Sequence, residues 1–337
     1  MPPKSLVTFC EGLGNHLEAI PAFLHLFKRD QNLVTTSYTM ATKHYTEQIY
    51  GPFCPVWNHN EIHAHPIKFQ WVMYPGFPLF ANKMQHTPQQ RPLVIGEHPE
   101  KGFWSEVEWN LAIVDSEFPL EALYIAPDKM WPKVEPRIEV DVLLADGYSP
   151  HPPTYWQFKR YLHYPELAKA LKKEGLSVGS LGRSNDIVPG TTKFSGTKLR
   201  DTVALMRGAK LVIANDTGAY HLAALLGIPT IVLFTGTCPA KNYNPVFHRS
   251  CVVVGTDLPC QPCQGRKGWS HCDRSPAGRH ECRRFPVRQV MDVVRCVLNQ
   301  KVQPFTLRTN LMQSLPHKLR YSRQRRINKT FWKRWPK

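Results

Sequence analysis

The residues best suited to chemistry lie in segment 209–236, where an apolar strand runs into Asp216, Thr217 and Gly218 and a helix follows at once. The first backbone N–H groups of a helix have no partner inside it, and the helix dipole favours negative charge there. Gly218 allows a diphosphate to approach the backbone closely, and Thr217 can donate its hydroxyl. His221 follows on the first turn and can face the same pocket. The segment therefore predicts an anion-binding helix start.

The alternative is an ordinary helix start with Asp216 as the N-cap and His221 packed at the surface. Two features favour a ligand site. The motif ends a strand of a predicted α/β sheet, where such folds bind ligands. The next strand also ends in a glycine-bearing turn, which adds Thr235 and Gly236 as candidate ligand-binding residues.

The elements that must position these residues alternate between strands and helices, which predicts an α/β fold with doubly wound parallel sheets. In the first half, a strand at Leu6–Phe9, a glycine-containing loop at 11–16 and a helix from Leu17 to Lys28 open the chain. Further elements are predicted at Asn32–Tyr38, Ser105–Val114, Val140–Leu144, Tyr161–Gly175, Leu176–Leu181, Lys198–Arg207, Lys210–Ala214, Ala219–Leu226 and Thr230–Phe234.

A stretch rich in Pro, Lys and Glu at 127–139 is typical of an interdomain linker. We therefore expect a first α/β domain over 1–137, a second over 138–300, and a basic, aromatic tail over 301–337.

Four of the nine cysteines cluster in one short stretch. They are Cys260, Cys263, Cys272 and Cys282. Four thiolates with one C-x-x-C arm suit a tetrahedral structural site for zinc or iron, although the second pair is spaced more widely than in common zinc ribbons. Free or disulfide-forming thiols stay an open alternative.

The formal net charge of +17 is concentrated near the C-terminus, where the tail holds eleven Lys or Arg residues and no Asp or Glu. Such a surface implies an anionic partner, either nucleic acid, a membrane face or a phosphorylated acceptor, and a solvated tail is the alternative. No stretch approaches the ~20 apolar residues of a membrane span, and the first residues favour a strand over a signal peptide. The expected location is the cytoplasm, with possible peripheral contact to the inner membrane.

The segment NDTGAYHLAALLGIPTIVLFTGTCP (215–239) resembles the signature of the ADP-heptosyltransferase family, glycosyltransferase family nine. Segments 12–28, 104–114, 164–182 and 197–216 are also similar to parts of this family. The resemblance implies two facing Rossmann-like domains of the GT-B type, an acceptor-side domain over 1–137 and a nucleotide-sugar domain over 138–300, and an inverting sugar transfer without a catalytic metal. It also implies that Asp216, Thr217, Gly218 and His221 hold the nucleotide-sugar donor, usually an ADP-heptose, with Thr235 and Gly236 as further candidates for donor binding. The implied acceptor is a lipopolysaccharide core. The charge leaves room for modified DNA as the acceptor.

One residue departs from the family pattern. The first loop of the family ends in Gly-Asp, and that Asp is the expected general base, whereas this chain has Asn15. An amide cannot accept the proton of the acceptor hydroxyl, so Glu11, His16 and Glu18 become the candidate bases.

Two other functions compete with sugar transfer. The loss of the family's Asp favours a catalytically weakened nucleotide- or nucleic-acid-binding protein. A Rossmann-type epimerase or dehydrogenase is disfavoured, because Leu17 replaces the third glycine of G-x-G-x-x-G and no acidic residue ends the next strand.

Overall fold

The computed structural model describes residues 5–9, 12–37, 40–57, 71–73, 105–115, 118–148, 158–237, 239–256, 258 and 281–299. The chain forms two compact α/β units, which divide between Ile125 and Ala126. This division lies just before stretch 127–139, which the sequence predicts as a linker. The predictions for Glu11, for Cys260, Cys263 and Cys272 and for tail 301–337 lie outside the described residues.

The first unit has a parallel sheet in the order β3-β2-β1-β4. Its elements are β1 (Ser5–Phe9), α1 (Leu13–Glu18), α2 (Ile20–Arg29), β2 (Val34–Ser37), α3 (Met40–Tyr50), β3 (Val56–Trp57), β4 (Trp71–Met73) and α4 (Glu106–Val114). The central strand β1 pairs with β2 on one side and β4 on the other. Apolar side chains of the helices, among them Leu17, Phe23 and Leu111, are fully buried, as an amphipathic pattern requires.

The prediction of one helix from Leu17 to Lys28 is wrong at its start. Two helices cover this region, and the helical conformation is interrupted at Ala19. Pro21 explains the break, because it lacks the N–H that a continuous helix would use there and is well accommodated in the first turn of α2. The helix predicted at Ser105–Val114 is confirmed, with Ser105 as its N-cap in a reciprocal capping box with Glu108.

The second unit has a six-stranded parallel sheet in the order β10-β9-β8-β5-β6-β7. Its strands are β5 (Val142–Ala145), β6 (Val178–Gly182), β7 (Thr192–Ser195), β8 (Leu211–Asn215), β9 (Thr230–Phe234) and β10 (Cys251–Gly255). Its helices are α5 (Tyr164–Lys173), α6 (Leu199–Gly208), α7 (Gly218–Leu225), α8 (Pro239–Asn242) and α9 (Val287–Leu298). Strands β5, β8 and β9 are buried along their whole length, as expected for a sheet covered on both faces.

The strand order creates a crevice between β5 and β8. From β5 the chain adds β6 and β7 on one side and then returns to add β8, β9 and β10 on the other. This is the dinucleotide-fold order, and such sheets bind ligands at the carboxyl ends of the strands where the order reverses. The fold thus brings the ends of β5 and β8 together at the position expected for a ligand.

Local signals account for most boundaries in this unit. Gly175 has a φ of +81° just beyond α5, the left-handed conformation in which a glycine commonly ends a helix, and it is also the last residue of the predicted element Tyr161–Gly175. Strand β9 has the predicted bounds, and α7 begins one residue before its predicted start. Every helix of the described residues is too short or too polar to span a bilayer.

Candidate donor site at the edge of the second sheet

The crevice between β5 and β8 is tied together by Asn215, the last residue of β8. Its side-chain amide donates to the carbonyl of Asp146 over 2.9 Å, and its oxygen accepts from the backbone N–H of Tyr161 over 3.0 Å. Asn215 is fully buried, so these bonds form where water cannot compete. They fix the segments after β5 and before α5 beside the start of α7.

The helix start itself differs from the ordinary alternative. Thr217, in an extended conformation, is the N-cap of α7, and its side chain does not cap the helix. Asp216 precedes the cap and is buried, where Oδ2 accepts from Asn242 over 2.5 Å and lies 3.4 Å from the Lys159 ammonium. The carboxylate is thereby held beside the helix start. The first N–H groups of α7 are not capped by the side chain of Thr217.

His221 is buried as well, with 4% of its surface exposed, so it does not lie at the surface. Its Nδ1 lies 2.9 Å from Nε2 of His248, and its Nε2 lies 3.9 Å from Oδ1 of Asp216. His221 therefore links the helix start to the loop that follows α8. The structure brings together the predicted residues Asp216, Thr217, Gly218 and His221 because they belong to one strand–loop–helix segment.

Thr235 and Gly236 follow β9, which pairs with β8, so they lie at the same edge of the sheet. Thr235 is fully buried and donates its hydroxyl to the carbonyl of Phe158. This bond anchors the segment before α5. A role of Thr235 and Gly236 in donor binding stays a prediction.

The sequence analysis does not predict several cationic side chains that lie at this edge. Arg160 binds Asp146 through two bonds of 2.8 and 2.5 Å, and Arg183, which directly follows β6, binds Asp186. Arg283 donates to the carbonyl of Arg160 over 3.0 Å and lies over the ring of Phe158. The sequence offers one signal for Arg183, because it lies two residues beyond the predicted strand Leu176–Leu181. The others lie in irregular segments.

Electrostatics at this edge follow from burial. Burial raises the pKa of the Asp146 carboxyl, and the two bonds from Arg160 oppose the rise. Burial lowers the pKa of Arg283, and the neighbouring Arg160 adds to that effect. Lys159, Arg160 and Arg183 are each paired with a carboxylate, so the positive charge at this edge is largely balanced by Asp216, Asp146 and Asp186.

Two of the candidate bases, His16 and Glu18, lie on α1 of the first unit, and Glu11 lies outside the described residues. His16 is fully buried, and both of its ring nitrogens are engaged within the unit, with the carbonyl of Gly12 at 3.1 Å and the hydroxyl of Thr46 at 3.0 Å. Glu18 is also buried, whereas Asn15 is half-buried. The contacts of His16 suit a structural role better than proton transfer, and the catalytic roles of Asn15 and Glu18 stay predictions.

Of the clustered cysteines, only Cys282 falls within the described residues. It lies in a short 3₁₀ turn, Glu281–Arg283, and is buried. The described part of the chain contains no group of three or more His, Cys, Asp or Glu residues arranged to hold a metal. The four-cysteine site thus stays a prediction.

Comparison with known sequences shows that one segment of the chain matches a family model. Residues 149–271 match the family model of glycosyltransferase family 9 (heptosyltransferase). Lipopolysaccharide heptosyltransferase 1 of Pseudomonas aeruginosa is 33% identical over 122 residues, and lipopolysaccharide heptosyltransferase 2 of Salmonella typhimurium is 29% identical over 108 residues. These alignments cover 33% and 28% of this chain, and they span about a third of each relative, 34% and 31% of its length.

Solved structures extend the likeness to the whole fold. E. coli ADP-heptose lipopolysaccharide heptosyltransferase II has a TM-score of 0.59 at 16% identity and covers 88% of this chain and 99% of its own. The iron-containing dodecameric glycosyltransferase TibC of enterotoxigenic E. coli has a TM-score of 0.62 at 18% identity and covers 89% and 77%. The predicted fold class, α/β with two Rossmann-like domains of the GT-B type, is confirmed. The matched segment makes this chain similar to the heptosyltransferases of glycosyltransferase family 9, and the solved structures show that it shares their fold.

Proposed function

We propose that this protein transfers a heptose-like sugar from an ADP-linked donor to an acceptor hydroxyl, with inversion at the anomeric carbon. The observation that carries the proposal is the start of α7, which lies at the crevice between β5 and β8 with Asp216 fixed beside it and Lys159 3.4 Å from that carboxylate. The names of the curated relatives, both lipopolysaccharide heptosyltransferases, support the choice of sugar.

In this proposal the donor diphosphate lies against the first turn of α7. The N–H groups of Gly218 and Ala219 and the hydroxyl of Thr217 donate to its oxygens, and Lys159 and Arg160 supply positive charge. As the sugar–phosphate bond breaks, the diphosphate gains negative charge, which these fixed donors stabilise. The same groups could stabilise the leaving diphosphate in a metal-independent transfer.

The bond that forms joins the acceptor oxygen to the anomeric carbon on the face opposite the leaving diphosphate, which inverts that carbon. The acceptor hydroxyl loses its proton to a base, for which Glu11 and Glu18 are our candidates, with His16 disfavoured by its contacts. Asn15 can orient the acceptor by hydrogen bonds but cannot take its proton.

For the acceptor we propose a lipopolysaccharide core, which the names of the relatives support. The basic tail 301–337 would then attract the anionic acceptor or the headgroups of the inner membrane at its cytoplasmic face. Charge alone suggests modified DNA as an alternative acceptor. This alternative would be favoured if the protein binds DNA with an affinity that falls steeply as the salt concentration rises.

The observation that favours a second function is Asn15, at the position where the family has its expected base. A protein without that base could bind the nucleotide sugar and turn it over weakly. Donor binding with no transfer to any lipopolysaccharide acceptor would support this binding function.

A valine at position 218 tests the donor site. Its side chain would occupy the space where the diphosphate approaches the helix start, so Gly218→Val should abolish the binding of ADP measured by calorimetry, with the circular dichroism spectrum unchanged. Thr217→Val, which removes only a hydroxyl, should weaken ADP binding by about fivefold to thirtyfold, as expected for one or two kcal/mol.

The control introduces a valine elsewhere in the same unit. Ala126→Val, at an exposed position, should bind ADP as the unaltered protein does. Equal ADP affinity in Gly218→Val would exclude the start of α7 as the donor site.

We also propose that Cys260, Cys263, Cys272 and Cys282 hold a structural zinc or iron ion. Elemental analysis of protein purified without chelators should then give about one metal ion per chain. Cys282→Ser should lose the metal, whereas Cys296→Ser, which removes a half-buried thiol of α9 outside the cluster, should retain it. Metal-free protein with unchanged thermal stability would contradict this site.

A further inference from the structure

His248 lies in the loop between α8 and β10, where it is fully buried. Its ring stacks on Tyr220 at 4.7 Å and on Tyr243 at 5.4 Å, with interplanar angles of 25° and 23°. Phe247 packs edge-on against it at 4.8 Å. Three aromatic neighbours therefore hold the plane of the ring, so the directions of its two nitrogens are set by packing.

The hydrogen bonds of His248 determine where its proton lies. The backbone N–H of Asn244 lies 2.9 Å from Nδ1 of His248, and a backbone N–H can only donate. Nδ1 is therefore the acceptor, so the proton of the neutral ring is on Nε2. Nε2 lies 2.9 Å from Nδ1 of His221, to which it donates.

The position of the proton on the His221 ring follows in the same way. Because its Nδ1 accepts from His248, the proton of its own neutral ring is on Nε2. That nitrogen lies 3.9 Å from Oδ1 of Asp216 at the start of α7, close enough for an electrostatic contact but beyond hydrogen-bond distance. Oδ2 of the same carboxylate is held by Asn242 over 2.5 Å. One chain of contacts thus runs from the backbone of Asn244 to the residues around the helix start.

We propose that His248 is a positioning residue of the donor site, which fixes His221 as a neutral ring with its Nε2–H directed at the start of α7. The proposal rests on the proposed function, since it takes that helix start as the place where the nucleoside diphosphate binds. A donor N–H of fixed direction stabilises the Asp216 carboxylate and adjacent phosphate oxygens. The opposite tautomer would direct a lone pair at them and repel them.

The first measurement is the ¹⁵N spectrum of the His221 ring in the full chain, assigned by comparison with His221→Gln. The shift of Nδ1 should be that of a nitrogen without a proton, and the shift of Nε2 that of a nitrogen carrying one. A protonated Nδ1 in the unaltered protein would overturn the proposal directly.

The second measurement is ADP affinity by calorimetry in three variants. His248→Asn can still accept from the N–H of Asn244 but is too short to reach His221. His248→Gln can span both contacts, and His248→Phe keeps the aromatic packing and loses both. We expect the Asn and Phe variants to bind ADP about fivefold to thirtyfold more weakly, the loss expected for one or two kcal/mol, and the Gln variant to recover most of the affinity.

Tyr243→Phe is the matched control. It loses the hydroxyl that donates to the carbonyl of Cys251 over 3.4 Å and keeps the ring that stacks on His248. It should be less stable to heat with ADP affinity unchanged, which separates loss of stability from loss of position. If the Phe variant of His248 does not fold, the comparison of Asn with Gln carries the test.

The outcomes separate the two hypotheses. If the unaltered protein binds ADP and His248→Asn binds it equally well, the positioning role is wrong and the donor site stands. If the unaltered protein binds neither ADP nor an ADP-sugar, the proposed function fails. The ¹⁵N shifts would then report only a structural contact between two histidines, and the positioning role would fail with it.

Discussion

The β1–α1 segment of the first unit and the β8–α7 segment of the second have the same local plan, in which a strand leads through a glycine-bearing loop into a helix that carries a buried histidine. In α1, His16 joins its own helix to α3 through the carbonyl of Gly12 and the hydroxyl of Thr46. In α7, His221 contacts another histidine on one side and faces a carboxylate at the helix start on the other.

The difference shows that position on a helix does not decide the role of a histidine. Both rings are buried, and both lie within two turns of a helix start. The ring of His16 also lies next to Tyr50, whose hydroxyl donates to the carbonyl of His16, so the whole residue joins two helices. The ring of His221 is directed by His248 toward the start of its own helix. We infer that His16 stabilises the packing of α1 on α3, whereas the ring of His221 is oriented relative to the start of α7.

The largest expected effect tests whether the first segment has any catalytic residue. If Glu11 or Glu18 is the base, replacing it with Gln should lower kcat by roughly 10²–10⁴ and leave ADP affinity unchanged, because only the proton acceptor is lost. Single-turnover transfer from an ADP-heptose to a lipopolysaccharide core, together with calorimetry, measures both quantities.

Glu47→Gln is the matched control for the carboxylates. Glu47 is on α3 of the same unit, is half exposed and pairs with Lys43 one turn away over 3.4 Å, so its loss should change neither kcat nor affinity. Near-normal rates in both Glu11→Gln and Glu18→Gln would remove these carboxylates from the mechanism and leave His16 or a base on the acceptor side as candidates.

The sequence predicts the second segment better than the first, for a physical reason. Strand β8 is buried on both faces and is apolar up to its last residue, Asn215, and the helix after it begins at the predicted turn. In the first segment Pro21 divides the predicted helix, and the helical pattern of apolar residues continues across the break. Periodicity reports which residues face a core, and it is insensitive to a break of one residue.

Within the site, the sequence predicts the residues that share one segment and misses the ones that come from elsewhere. Asp216, Thr217, Gly218 and His221 are recognised by their spacing. Lys159 lies 57 residues before Asp216, and His248 lies 27 residues after His221. Both belong to irregular segments with no periodic pattern. Only the contacts of the folded chain, between Lys159 and Asp216 and between His248 and His221, show that they belong together.

The smaller effect tests the structural role of His16 through pH. Burial lowers the pKa of His16 from 6.5 to about 4, a nearby His44 adds to the decrease, and the bond to Gly12 opposes it. Because the folded pKa lies below the unfolded one, the proton binds the unfolded chain more tightly. The stability conferred by the neutral ring is therefore complete above pH 6.5 and is lost as pH falls from 6.5 toward 4. At ~1.4 kcal/mol for each unit, the loss is about 3 kcal/mol.

Hydrogen exchange of the full chain between pH 7 and pH 4, corrected for the intrinsic rates, measures this loss locally. Protection of α1 and α3 should fall with pH in the unaltered protein and should depend less on pH in His16→Gln, whose side chain does not titrate. Helix α6 of the second unit contains no histidine and serves as the internal reference. Equal pH dependence in the two proteins would mean that His16 is not held neutral by burial, and it would restore this residue as a candidate base.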